Sequence, residues 1–412
     1  MPQHARATRR GWSDDRVKRF LTLAAALAAL SLAGCITVPP AYGPVAGDCA
    51  KQTADPATAQ GPIYFVATGM PDCLADQPLA MSVGRGTLRP YGEAATTPIR
   101  YGIATPGTPK LPNLKLSADA AWHDRLRRDL QAAPGDKAGR ILLYVHGYNN
   151  RVDEALSQAD QIAMAARFDG PVVAFIWPSQ HALAKYTWDA ENAAWTQAYF
   201  DTVLADLAGQ SSELVLVAHS MGNRIAIDGL RHLQSISQKP GAPDLAARVK
   251  TLVLAAPDID RELFDRDMAP DIVRQGRRIA LFASGRDLAL RSSWALHGNP
   301  RAGDVGCSFR LRRRTGPLVA APRCYPDPRG APGEMIVIDG SDLPGKPLGH
   351  STHIDTPEGR AILRRLLTPG AAPLPAEKGV LTLKIDSPPD CASGPSRLGL
   401  EYVVARCEVK KK

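Results

Sequence analysis

Seven short apolar runs punctuate the chain: Ile63-Tyr64-Phe65-Val66, Ile141 to Val145, Val172 to Trp177, Leu214 to Ala218, Leu252 to Ala256, Ile279 to Ala283 and Met335 to Ile338. Most are continuously apolar rather than alternating, which predicts parallel strands covered on both faces. Helical patterns lie between them. Trp195, Tyr199, Val203 and Leu207 recur every fourth residue, and Phe200 and Leu204 widen the stripe into an amphipathic helix that stops at Gly209. A second helix is expected after Asn149-Asn150, with an asparagine as cap and Asp153 and Glu154 in its first turn. Strands and helices alternating over residues 61–368 predict one α/β domain with a doubly wound, mostly parallel sheet.

The ends of the chain break this pattern. Arg6, Arg9, Arg10, Arg16, Lys18 and Arg19 precede an uncharged Leu/Ala-rich run from Leu21 to Leu32. This reads as a secretory signal, the run being too short for a stable membrane span. Arg9-Arg10 permits a twin-arginine reading, against which the polar Ser13-Asp14-Asp15 stands. The run closes in Leu32-Ala33-Gly34-Cys35, which resembles the lipobox of bacterial lipoprotein signals. That resemblance implies removal of residues 1–34, lipidation of Cys35 and anchoring in the membrane. Each buried methylene contributes about 0.8 kcal/mol, so several acyl chains would hold the protein firmly. Ile36 after the cysteine implies the outer membrane, facing the periplasm.

Residues 35–60, rich in Pro, Gly, Ala and Thr, read as a flexible tether. Residues 304–334 read as an inserted loop, and 376–412 as a small C-terminal β appendage. Setting Cys35 aside leaves Cys49, Cys73, Cys307, Cys324, Cys391 and Cys407, an even number that suits disulfides in an oxidising compartment. Their clustering favours 49 with 73, 307 with 324 and 391 with 407. The net charge of +9 shrinks to +5 without residues 1–34, which carry six Lys/Arg against two Asp. Part of this excess sits at Arg310, Arg312, Arg313 and Arg314, a solvated basic loop or a site for anionic head groups. Nucleic acid is therefore not an expected partner.

The chemistry concentrates at Glu213-Leu-Val-Leu-Val-Ala-His-Ser220-Met-Gly222, an apolar strand running through a tight turn into a helical pattern. A serine there sits on a strained elbow with the following helix N-terminus ready to favour developing negative charge. Small residues are needed two places to either side, where Ala218 and Gly222 stand.

With Tyr144-Val-His-Gly-Tyr-Asn-Asn150, Trp177-Pro-Ser179, Tyr186 with Asp189, Ala256-Pro-Asp258, Ser284-Gly-Arg-Asp287 and Gly349-His350, this elbow resembles the α/β-hydrolase superfamily. Within it, the chain is similar to a bacterial family long labelled as of unknown function. The resemblance implies the α/β-hydrolase fold and a Ser, Asp, His order of active groups. Ser220 then falls in the nucleophile position, Asp287 in that of the acid and His350 in that of the base. Asp258 and Asp260 are rival acids, and His353 is a rival base. His350 and His353 could instead ligate a metal, but no third ligand is evident. His219 suits a turn or packing role better than that of the base. His146-Gly147-Tyr148 resembles an oxyanion loop, with the backbone N–H groups of Tyr148 and Met221 as donors. Trp177-Pro178-Ser179 and Tyr186 either shape the substrate site or belong to the core. The expected activity is cleavage of carboxylic esters, small-molecule or lipid, without metal or cofactor. The rival is a non-catalytic envelope scaffold that keeps the hydrolase fold for binding.

Overall fold

The computed structural model describes residues 49–73, 79–85, 98–108, 111–133, 135, 138–273, 277–304, 335–343, 346, 348–374 and 380–382. Its first strands are β1 (Ile63–Ala67), β2 (Gly69–Asp72), β3 (Ala80–Arg85), β4 (Arg100–Thr108) and β5 (Leu111–Ser117). Helix α1 (Asp119–Ala132), β6 (Arg140–Val145), α2 (Val152–Ala166), β7 (Val172–Ile176), α3 (Tyr186–Gln210), β8 (Glu213–His219), α4 (Gly222–Ser237) and β9 (Val249–Ala255) follow. The last elements are β10 (Arg278–Ala283), α5 (Leu288–His297), β11 (Met335–Asp339), α6 (Thr352–Asp355), α7 (Pro357–Leu367) and β12 (Val380–Thr382).

Each apolar run read from the sequence is one of these strands. All seven lie in one ten-stranded sheet of order β12-β11-β10-β9-β8-β6-β7-β1-β4-β5. β4 is antiparallel to both neighbours, β1 and β5, so among the described strands of this sheet it alone runs against the rest. The runs are continuous because both faces are covered. Leu214, Leu216 and Ala218 of β8 pack with Leu126, Phe200, Leu204 and Ile225 from α1, α3 and α4. The intervening Val215 and Val217 pack on the other face with Leu156, Ile162 and Leu363 from α2 and α7. Alternation in direction is thus kept while alternation in polarity disappears. The expected doubly wound α/β architecture is the one observed.

Several strands lacked a continuous apolar signal. β4 and β5 form the far edge of the sheet, and in β5 Pro112, Leu114 and Leu116 are buried while Asn113 is exposed. Such half-solvated strands read as alternation, which is easily lost among Pro and Gly. Helix α3 also extends further than its Trp195 to Leu207 stripe, starting at Tyr186. Its buried line is Asn192, Ala193, Thr196, Phe200, Val203 and Leu207, with Trp195 and Tyr199 half-buried beside it. The cap of α2 is shifted from the expected asparagines to Arg151, whose backbone N–H donates to Glu154 Oε2 at 2.8 Å.

The later part of the expected tether is held against the domain. Cys49 and Cys73 form a disulfide with Cα atoms 5.0 Å apart. Arg125 Nη1 donates to the carbonyls of Pro56 at 2.6 Å and Ala57 at 3.0 Å. Of the expected C-terminal appendage, Val380–Thr382 is described and pairs with β11 as an edge strand of the main sheet. The signal segment with Cys35, residues 305–334 with Cys307 and Cys324, and Cys391 and Cys407 lie outside the described residues. No helix among the described residues is long and apolar enough to cross a membrane.

Gly102 in β4 illustrates how tightly this edge is closed. A Cβ there would meet Phe65 Cζ at 2.2 Å and Lys115 O at 2.6 Å, and Phe65 is fully buried. Gly102→Ala should therefore destabilise the domain by about 1–3 kcal/mol, the usual cost of overpacking. A urea-unfolding midpoint equal to that of the wild type would contradict this account.

Candidate active site

The elbow after β8 is the most constrained backbone of the site. Ser220 has φ +52°, a left-handed conformation that costs an L-residue about 1–2 kcal/mol. Its surroundings over-determine it. Ser220 N–H donates to Ala255 O at 2.9 Å, and Asn223 Nδ2 donates to Ser220 O at 2.9 Å and to Ala255 O at 3.1 Å. A Cβ on Gly222 would lie 2.3 Å from His146 O, so only glycine lets α4 start this close to the end of β6. Ala218, two residues before Ser220, is fully buried and registered between Val145 and Leu254, where a methyl group is accommodated.

Asp287 caps α5, with Oδ1 accepting from Leu290 N–H at 2.9 Å. Its Oδ2 accepts from His350 Nδ1–H at 2.6 Å. The carboxylate side chain is fully buried, whereas the imidazole is 15% exposed. Burial works to lower the His350 pKa, but the Asp287 carboxylate outweighs it and holds the imidazole above its ordinary 6.5. Gly349, at φ +64°, lets the backbone pass close to Arg286 O, and Leu288 N–H donates to Leu348 O at 2.9 Å, fastening the two loops together.

The rival residues occupy other positions. His353 is buried in α6, 5.3 Å from the His219 ring, with Nε2 making no hydrogen bond among the described residues. Burial pushes its pKa down to about 3. Asp258 is engaged by Arg301 Nε at 2.7 Å, Arg224 Nη2 at 3.2 Å, Ser293 Oγ at 2.6 Å and the Tyr186 hydroxyl. Burial works to raise its pKa, and the two guanidinium groups outweigh that and lower it. Asp260 caps the short helix Arg261–Leu263 through Leu263 N–H at 3.0 Å. His219 does more than pack: its Nε2–H donates to His350 O at 3.0 Å, holding the backbone of the loop that carries the imidazole.

The loop 146–150 is cross-braced. His146 Nδ1–H donates to Gly147 O at 2.8 Å and Nε2 accepts from Trp177 N–H at 3.1 Å. This pattern requires a neutral ring, and burial lowers its pKa to about 4. The Trp177 indole stacks on it at 5.0 Å, so Trp177 belongs to the core. Buried Asp189 accepts from Ser179 Oγ at 2.6 Å, Gln180 N–H at 2.7 Å and Asn149 N–H at 3.2 Å, joining this loop to the one after β7. A Cβ on Gly147 would come 2.8 Å from Ser220 Cβ, so the loop lies directly against the serine. Tyr148 packs edge-on against Tyr186 at 5.2 Å. Met221 N–H, one residue beyond the elbow, has no acceptor among the described residues.

Arg224, Arg301 and Ser293 had no place in the sequence reading. Arg224 could have been found four residues after the serine, on the first turn of the helix. Arg301 could not, since only the tertiary fold brings it to Asp258. Among the described residues no group of three or more His, Cys, Asp or Glu side chains is arranged to hold a metal ion.

Residues 119–315 match the model of a family described as alpha/beta hydrolase of unknown function (DUF900). No curated protein and no solved structure matches the chain.

The buried histidines make stability depend on pH. His146, His219 and His353 all have folded pKa values below the 6.5 of an unfolded chain. The unfolded state therefore takes up protons that the folded state refuses, and stability present above about pH 6.5 is lost as pH falls towards the folded values. The unfolding midpoint should fall between about pH 7 and pH 4, and His353→Gln should make that fall shallower. An unchanged slope in the variant would refute the contribution of His353.

Proposed function

We propose that the protein is a serine-dependent hydrolase of carboxylic esters, a reading supported by the match of residues 119–315 to the model of this alpha/beta hydrolase family. The observation that carries the reading is the Asp287-oriented imidazole of His350, on a loop fastened beside the left-handed Ser220 turn. Ser220 attacks the ester carbonyl while His350 Nε2 takes the Oγ proton. Asp287 fixes the tautomer through Nδ1–H and stabilises the imidazolium. The Met221 and Tyr148 N–H groups receive the oxyanion, the former free of any other acceptor among the described residues. The imidazolium then gives its proton to the departing alcohol, leaving an acyl-serine. His350 next deprotonates a water that attacks the acyl carbon, and returns the proton to Ser220.

The elevated His350 pKa sets the pH dependence. The base must be neutral, so kcat/KM for 4-nitrophenyl esters should rise with pH through a limb above 6.5. Removing the carboxylate takes away what raises the pKa, so Asp287→Asn should move that limb to lower pH and reduce the plateau by roughly 10⁴. Ser220→Ala should abolish labelling by a fluorophosphonate probe. Equal labelling of wild type and variant would refute Ser220 as the nucleophile.

We also propose that the protein works outside the cytoplasm, held to the membrane by acyl chains on Cys35. The basic flank, the short apolar run and Leu32-Ala33-Gly34-Cys35 support this. Metabolic labelling with palmitate should mark the wild type and not Cys35→Ser. Labelling that survives the substitution would exclude this anchor.

A further inference from the structure

Asp258 sits in a hydrogen-bonded cluster with more positive than negative charge. Two guanidinium groups, Arg224 and Arg301, face this single carboxylate, and the Tyr186 hydroxyl, bonded to Arg224 and Asp258, is neutral, its pKa pushed up to about 12. Arg301 is the dedicated counter-ion. Its side chain is 4% exposed, with Nε on Asp258 Oδ1 at 2.7 Å and Nη2 on Asp258 O at 3.2 Å.

Arg224 is placed differently. It is held on one edge only, with Nε donating to Asp258 O at 2.8 Å and Nη2 to the Tyr186 hydroxyl at 2.6 Å and to Asp258 Oδ2 at 3.2 Å. Nη1 has no partner among the described residues, and the side chain is 26% exposed. Three bonds to rigid, buried partners fix the plane of the guanidinium before any ligand arrives, which removes the rotamer entropy that a free surface arginine would lose on binding. The position is also close to the reacting centre. Arg224 lies four residues after Ser220, Asp258 N–H donates to Ser220 O at 3.2 Å, and Tyr186 packs against Tyr148 of the oxyanion loop.

We propose that Arg224 is an anion-recognition residue, and that the ester cleaved at Ser220 carries a carboxylate near the scissile bond. This rests on the hydrolase reading above. An oriented, partly desolvated guanidinium makes charge-assisted hydrogen bonds to a carboxylate roughly twice as strong as neutral ones. The excess cation of the cluster is balanced when the substrate is bound.

Three esters separate the possibilities: the mono-4-nitrophenyl ester of glutaric acid, with the charge on the acyl side; 4-carboxyphenyl valerate, with the charge on the alcohol side; and neutral 4-nitrophenyl valerate. Arg224→Gln should lower kcat/KM for one of the charged esters at least tenfold more than for the neutral ester. Arg224→Lys should retain part of that difference, and added salt should shrink it in the wild type. Equal losses on all three esters, with a lowered thermal midpoint, would show a structural arginine and overturn the proposal.

A binding measurement keeps this separate from catalysis. Glutarate titrated calorimetrically into Ser220→Ala should bind, and should bind at least tenfold more weakly to the Ser220→Ala/Arg224→Gln double variant. Glutarate binding without turnover of any ester would refute ester hydrolysis and leave the anion site standing. Turnover of the neutral ester, with no glutarate binding and no charge preference, would do the reverse.

Discussion

The left-handed turn at Ser220 is the constraint to which the rest of the site is fitted. A φ of +52° on an L-residue persists only where neighbouring structure fixes it, and here three backbones crowd into one place. The end of β6 lies so close to the start of α4 that Gly222 has no room for a Cβ, and the following Gly147 is pressed against Ser220 itself. Asn223 Nδ2 ties the elbow to β9 by bonding both Ser220 O and Ala255 O. The strain of one residue is thus spread over three adjacent parallel strands, whose packed interior does not yield to it.

From that turn outward, the site is organised by buried polar groups that each have a structural task. His146 locks the loop after β6 to Trp177, Asp189 joins that loop to the one after β7, and His219 holds the backbone of His350. Burial keeps His146 and His219 neutral, so these rings act as fixed donors and acceptors. His350 is the exception. The buried carboxylate of Asp287 reverses the effect of burial, leaving one imidazole in the cluster poised to take up a proton. A shared environment therefore gives four histidines different chemistry according to whether a carboxylate is present.

The Asp258 cluster shows why residue type alone is a poor guide to role. Asp258 and Asp287 both follow a strand of the same sheet and both are buried. Two arginines, a serine and a tyrosine already fill the hydrogen-bonding capacity of Asp258, whereas Asp287 spends one oxygen on a helix cap and offers the other to a histidine. Position along the chain does not separate the two, but their partners do.

The sequence by itself determined the architecture and the elbow. Seven doubly buried strands leave continuous apolar runs, and Gly222 beside Ser220 is demanded by backbone contacts that no larger residue could satisfy. Edge strand β5 was hidden because its exposed Asn113 and half-buried Lys115 dilute the apolar signal to an alternation that includes Pro112, and neighbouring β4 because its buried stretch, Gly102-Ile103-Ala104, is short and has only Ile103 as a large apolar side chain. What only the tertiary structure decided is which acid and which histidine meet, and what surrounds them. Asp287 and His350 are 63 residues apart, and Arg224 and Arg301 reach Asp258 from opposite sides in sequence. Spacing along a chain cannot encode such meetings, because they follow from the order in which strands are laid side by side in the sheet.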